Sequence, residues 1–163
     1  MTTNGNLIAH SVDRLASYLH KVKKENPLVP FYVIALGGKG GDLLPLVQSA
    51  YDKKNDHVQI NWQHLGGADP GFGLDEAVLT PNNPVDYTDG VVVLLSATVE
   101  TADHLRQATN FTLSYGRPQT IRSATIFDDR ENRRFPFHPD FAVYSESAPT
   151  DFEKKLRNAS RSN

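Results

Sequence analysis

Apolar and polar positions fall into alternating blocks along this chain. Val12, Leu15, Ala16, Leu19 and Val22 recur at helical spacing, with Ser11 before them and Pro27 beyond. This predicts an amphipathic N-terminal helix, capped by Ser11. Phe31, Tyr32, Val33, Ile34, Ala35 and Leu36 form a short apolar run that is partly β-branched, which reads as a buried strand. Gly37, Gly38, Lys39, Gly40 and Gly41 follow, and so much backbone freedom predicts a turn. Asp42 then caps a helix with the stripe Leu43, Leu46, Val47 and Ala50, and Pro45 is tolerated in its first turn.

Residues 57–65 read as a second strand. Residues 66–89 are rich in Gly, Pro, Asn and Asp, and so long a loop in a compact domain is functional or mobile. Phe72 and Tyr87 stand out in it as groups that contact something. Residues 90–95 form the strongest strand, apolar on both faces, which belongs at the centre of a parallel sheet. A helix over about 101–115 follows, with Leu105, Ala108, Phe111 and Tyr115 on one side and Gly116 at its end. Strands at 120–127 and 141–145 complete the sheet. One domain is expected over 1–149, with a polar tail over 150–163 in which Phe152 and Leu156 can anchor a short helix. Strands alternating with helices imply an α/β fold, a parallel sheet covered on both sides. Its site is expected at the carboxyl ends of the central strands, at 37–41, 96–104 and 128–134.

Composition narrows the chemistry. A length of 163 residues suits one domain with a real core. The net charge of -2 gives no bulk attraction to nucleic acid or anionic lipid. The absence of cysteine excludes disulfides and thiolate chemistry and fits a cytoplasmic protein. Residues 1–6 carry no apolar signal-peptide core, and no run is long enough to span a membrane. His57 and His64 lack the spacing of metal ligands, so no metal site is expected.

At the strand ends the chain resembles the type I phosphoribosyltransferases, in their purine (hypoxanthine-guanine and xanthine) branch. Residues 31–46 resemble that family's first strand, pyrophosphate loop and helix. Residues 90–105 resemble the strand entering its phosphoribosyl-diphosphate loop. Residues 124–134, followed by Pro139, Asp140, Phe141, Ala142, Val143 and Tyr144, resemble its base-binding end. The resemblance implies a Rossmann-like parallel sheet flanked by helices, with a small hood from the termini, and residues 66–89 as a mobile hood or a dimer arm. It implies Mg²⁺ wherever phosphoribosyl diphosphate is bound, and homo-oligomers or membership of a protein assembly. Carried over by position, Gly37, Gly38, Lys39, Thr98, Thr101 and His104 would bind phosphate or ligand. Asp129, Phe141 and Tyr144 would meet the base, and Glu100 would be the catalytic carboxylate.

The chain departs from that pattern in its loop. The family carries two adjacent acids there, then Asp-Thr-Gly-x-Thr. With Thr101 on the first Thr, Ser96 and Ala97 occupy the acid pair's places, and Glu100 that of the catalytic Asp. A hydroxyl and a methyl cannot replace two carboxylates toward ribose hydroxyls or Mg²⁺. Ala102 replaces the Gly, Asp103 places a negative charge in the phosphate cradle, and His104 replaces the second Thr. At the base end, Asp128 and Asp129 stand where the family carries a Lys.

Bland readings stand beside these. Gly37 to Gly41 is either a pyrophosphate cradle or a plain turn. Glu100 is either a base or a helix-stabilising first-turn acid. Arg117, Arg122, Arg130, Arg133 and Arg134 either meet phosphates or form a solvated rim interleaved with acids. The expected function is a phosphoribosyltransferase-like protein without standard transferase activity, acting as a nucleotide- or ligand-sensing or protein-binding module. Two alternatives stay open: a divergent enzyme using Glu100, and a nucleic-acid-binding component.

Overall fold

A 22-residue helix, α1 (Asn4–Glu25), opens the chain in the computed structural model. The model describes residues 4–54, 60–65, 85–99, 103–129 and 139–161, apart from the side chains of residues 4–6, 38, 103 and 104. The helix starts a full two turns before the expected cap. Ser11 lies inside it, buried, its Oγ donating to the Leu7 carbonyl at 2.7 Å. A hydroxyl can satisfy itself on the preceding turn, so serine need not mark a helix start. Leu15, Ala16 and Leu19 are fully buried, as their spacing requires. At the far end Lys23 is buried, its Nζ 3.2 Å from the Val29 carbonyl and 3.4 Å from that of Pro27. A cation among carbonyls at a helix C-terminus complements the dipole, and it ties α1 to the strand that follows.

Among the described residues, five strands make one parallel sheet: β1 (Phe31–Leu36), β2 (Asn61–Leu65), β3 (Val91–Val99), β4 (Thr120–Asp128) and β5 (Phe141–Tyr144). Their order is β2-β1-β3-β4-β5, and every neighbouring pair is parallel. β3 is central, and all its residues except Thr98 are buried. Three further helices are α2 (Gly37–Lys53), α3 (Asp103–Ser114) and α4 (Phe152–Arg161). The chain steps outward from β1 to β2 through α2, and in the opposite direction from β3 to β4 through α3. Crossovers of one hand in opposite directions place their helices on opposite faces. Accordingly α1, α2 and α4 pack with Val33, Val93, Leu95 and Ile126 in one core cluster. Leu105, Ala108 and Phe111 of α3 pack with Ile34, Val92 and Leu94 in the other.

The expected glycine turn is absent. α2 begins at Gly37 itself, so Asp42 and Pro45 lie inside the helix instead of at its start. Gly37, at φ +73°, turns the chain straight from strand into helix. The next turn lies hard against the sheet. A Cβ on Gly40 would stand 3.1 Å from the Ala35 carbonyl carbon, and one on Gly41 3.0 Å from the His64 ring. These glycines serve close approach.

Residues 66–84, including Phe72, lie outside the described residues, as do 57–59 of the expected second strand. Tyr87 is described, and its contact is internal. It is buried, edge-on to Tyr32 at 5.0 Å, and its hydroxyl donates to Gln63 Oε1 at 2.6 Å. Burial pushes the Tyr87 phenol far above its ordinary value, and Tyr32 and Tyr115 add smaller contributions. In the unfolded chain this phenol ionises near pH ~10, while the folded protein keeps the proton. The unfolded state then binds fewer protons, so stability falls as pH rises above ~10, by up to about 1.4 kcal/mol per pH unit from this group. Urea unfolding at successive alkaline pH values should show this fall, and Tyr87→Phe should flatten it. An equally steep fall in the variant would contradict the assignment.

The segment after Pro149 is part of the core. Phe152 and Leu156 of α4 are buried, and Phe152 meets Phe127 edge-on at 5.0 Å. Among the described residues no helix is long and apolar enough to cross a membrane.

Candidate functional site

The carboxyl ends of β1, β3 and β4 open into a cleft of about 180 Å³. Three elements of the sheet side contribute to it: Lys39 from the first turn of α2, Thr98 near the end of β3, and Asp129 just after β4. The opposite wall is Ala148, Pro149, Thr150, Phe152 and Glu153, at and before the start of α4. The β3–β4 register sets Thr98 beside Phe127, and Phe127 supports Phe152. An aromatic contact between the sheet and the last helix therefore supports the wall to which Phe152 belongs.

Inside the cleft, Lys39 Nζ donates to Thr98 Oγ1 at 3.3 Å. Asp129 is held twice: its N–H donates to the Val99 carbonyl at 2.8 Å, and its Oδ1 accepts from Ser147 Oγ at 2.5 Å. At the α2 start, the Gly37 carbonyl lies 2.7 Å from His64 Nε2. A carbonyl only accepts, so this nitrogen carries the hydrogen. Asp151, before α4, has its carboxyl held below the usual range by the hydrogen bond from Lys155, at 2.8 Å.

Of the residues singled out in the sequence, Lys39, Thr98 and Asp129 come together. Gly37 and Gly38 lie beside them in the first turn of α2. Phe141 and Tyr144 do not line the cleft. Phe141 stacks on Tyr18 of α1 at 4.7 Å, with the Arg14 guanidinium 5.8 Å from its ring centre, and Tyr144 stacks on Phe127 at 5.2 Å. Asp140, just before them, has a clear structural part: its Oδ2 accepts from the Ser123 N–H at 2.8 Å and its own N–H donates to the Ser123 carbonyl at 2.9 Å. It fastens the short edge strand β5 to β4. Arg122 lies in the first half of β4 and pairs with Glu25 at 3.8 Å, and Arg117 belongs to the turn before β4. Glu100, Thr101, Arg130, Arg133, Arg134 and the side chain of His104 lie outside the described residues.

Ser96 and Ala97 are both buried in β3, and Ser96 Oγ has no hydrogen-bond partner among the described residues. From Val91 to Val99 the strand carries no carboxylate. Magnesium holding a diphosphate is bound through carboxylates and substrate oxygens. Within that strand, a buried hydroxyl beside a methyl offers no carboxylate to such an ion.

The α4 wall of the cleft is a feature that sequence reasoning misses, since the chain from Thr150 reads as the start of a tail. A signal for it exists: Pro149, Thr150 and Asp151 precede Phe152 and Leu156 at i, i+4 spacing, a helix start with two anchors.

A five-stranded parallel sheet in this order, with helices on both faces and a cleft over its central carboxyl ends, is a doubly wound α/β fold of the kind the type I phosphoribosyltransferases have. Solved structures agree. Hypoxanthine phosphoribosyltransferase from Trypanosoma cruzi in complex with the product IMP superposes with a TM-score of 0.68 at 18% identity, covering 91% of this chain and 76% of that one. A second structure of the T. cruzi enzyme, from work on its C-terminal region, oligomeric state and activity, gives 0.68 at 18% identity over 91% and 78%. No family model matches the chain. Sequence relatives are nevertheless specific: the bifunctional protein PyrR of Nostoc punctiforme is 41% identical over 141 residues, 82% of this chain and 75% of that protein. The bifunctional protein PyrR of Microcystis aeruginosa is 29% identical over 157 residues, 92% and 84% of the two chains. The chain belongs to the PyrR family of phosphoribosyltransferase-fold proteins.

Proposed function

We propose that this protein binds a nucleoside monophosphate in the cleft of Lys39, Thr98 and Asp129 and works as a nucleotide-sensing module, without ordinary phosphoribosyl transfer. The observation that carries this reading is the end of β3. It holds the buried Ser96–Ala97 pair and no carboxylate, while a lysine, hydroxyls and a helix start line the cleft beyond it. The Lys39 ammonium and the Thr98 and Thr150 hydroxyls suit a phosphate. The positive dipole end of α4 adds to that. A product nucleotide lacks the diphosphate that needs the metal, so it can be held where the diphosphate substrate is not. The complex of a structural neighbour with IMP supports a nucleotide as the ligand class, and the bifunctional description of the relatives accords with a role besides catalysis.

Calorimetric titration with a panel of nucleoside monophosphates, without added metal, tests the reading. At least one should bind, and Lys39→Ala should weaken that binding about tenfold by removing a charge-assisted hydrogen bond. A panel in which no nucleotide binds would overturn it.

A further inference from the structure

We infer that the segment from Ser145 to Thr150 is a flap: latched by the Ser147–Asp129 hydrogen bond it narrows the cleft, and it swings away to admit the nucleotide. The inference rests on the nucleotide reading above and adds how the ligand enters.

The cleft holds about 180 Å³, whereas sites that enclose a small molecule run from about 300 Å³ upward. A phosphate fits the smaller space, but phosphate, ribose and base together exceed it. One wall must therefore give way. The sheet side is fixed. Lys39 is carried by the first turn of α2, Thr98 is paired across β3 and β4, and the Asp129 N–H is tied to the Val99 carbonyl. Phe152 and Glu153 belong to α4, which the buried Phe152 and Leu156 anchor. Of the cleft lining, Ala148, Pro149 and Thr150 are left to move.

These three residues lie on a segment without helix or strand, exposed along its length except at the half-buried Ala148. Its two ends rest on one ring: Tyr144 stacks on Phe127 at 5.2 Å, and Phe152 meets it edge-on at 5.0 Å. On the helix side it passes through a turn, the Phe152 N–H donating to the Pro149 carbonyl at 3.0 Å, and Asp151 then pairs with Lys155 at 2.8 Å. A short loop whose ends are pinned close together can pivot as a unit while its anchors stay in the core. Its middle is tied across the cleft by Ser147 Oγ, which donates to Asp129 Oδ1 at 2.5 Å. That bond is exposed, so water can replace it at small cost. With the latch closed the whole ligand is excluded. Apparent affinity then scales with the fraction of molecules whose flap is open.

The chain has no cysteine, so Thr98→Cys in the full-length protein puts a single thiol in the cleft. Its rate of reaction with fluorescein maleimide, a reagent larger than the closed cleft, reads the open fraction. Adding Ser147→Ala removes the latch and should speed this labelling about fivefold, the worth of one exposed hydrogen bond. Adding Ser147→Thr instead keeps the hydroxyl and should leave the rate within about twofold. By calorimetry, Ser147→Ala alone should bind a nucleoside monophosphate about fivefold more tightly than the parent. A labelling rate unmoved by Ser147→Ala would overturn the flap and leave the nucleotide reading standing. Equal acceleration by alanine and threonine would also overturn it, since a general loosening of the fold would then be the cause. Faster labelling joined to weaker nucleotide binding would overturn it too, because the segment would then be a clasp that helps hold the ligand. Faster labelling in a chain that binds no nucleoside monophosphate would remove the nucleotide reading and keep the movable wall.

Discussion

Replacing Gly116 by alanine is expected to destabilise the domain by about 3 kcal/mol or more. Gly116 follows α3 at φ +143°, a backbone region that side chains rarely adopt. Its neighbours leave no space either. A Cβ would stand 2.8 Å from the backbone nitrogens of both Tyr87 and Thr88, and 2.5 Å from Asp86 Oδ1. The aspartate can swing aside, but the two nitrogens cannot easily move. The Tyr87 N–H donates to the Tyr115 carbonyl at 3.1 Å, and the Asp89 N–H donates to the Arg117 carbonyl at 3.0 Å. Thr88 Oγ1 accepts from the Arg117 N–H at 3.1 Å. Pushing this strap outward would drag the buried Tyr87 ring out of the core under α3. Urea unfolding measures the effect. A variant within about 0.5 kcal/mol of the parent would show that the strap yields freely and does not belong to the folded core.

Phe152→Ala should cost about 3–5 kcal/mol, the usual range for truncating a buried aromatic. The ring is nearly inaccessible, packs on Phe127 and forms part of the cleft wall. Its loss leaves a cavity between β4 and α4 and removes one of the two residues anchoring the helix. Nucleotide binding should therefore fall together with stability. Lys154→Ala, on the exposed side of the same helix, should stay within about 0.5 kcal/mol. Equilibrium unfolding of the two variants separates the cases. A cost below about 1 kcal/mol for Phe152→Ala would mean that α4 is an appendage and the cleft wall a loose one.

The elements differ in how far the sequence discloses them. β3 is legible because it is buried on both faces, and a central parallel strand must then be a continuous apolar run. The middle of α1 is legible from Leu15, Ala16, Leu19 and Val22, since a helix lying on a core must carry one apolar stripe at helical period. Its start is not, because Ser11 has two equally good uses, capping and bonding to the preceding turn, and local sequence does not choose between them. Glycine's poor helix propensity points the run from Gly37 to Gly41 toward a turn. What overrides it is non-local: the approach of the helix to Ala35 and His64, residues on two different strands.

The same distinction governs the site. The segments that hold Lys39, Thr98 and Asp129 can be picked out because each lies at a strand's carboxyl end that the apolar pattern places, and the family resemblance then points to the residues themselves. Phe141 and Tyr144 look like base-stacking rings in the sequence, but their partners are Tyr18 and Phe127. Stacking between rings far apart in the chain leaves no local trace. The α4 wall is obscured because it is polar apart from Phe152 and Leu156, and two apolar residues are a weak periodic signal.

The proposed function stands or falls on the end of β3, which in this PyrR-family chain carries the buried Ser96 and Ala97 and no carboxylate. Calorimetric titration of the full-length protein with phosphoribosyl diphosphate and Mg²⁺ is therefore the deciding measurement. No detectable heat should appear up to millimolar ligand. A clear binding isotherm that disappears when Mg²⁺ is withheld would contradict the proposal, because it would place the metal-bound diphosphate in a site that a buried hydroxyl and a methyl cannot build.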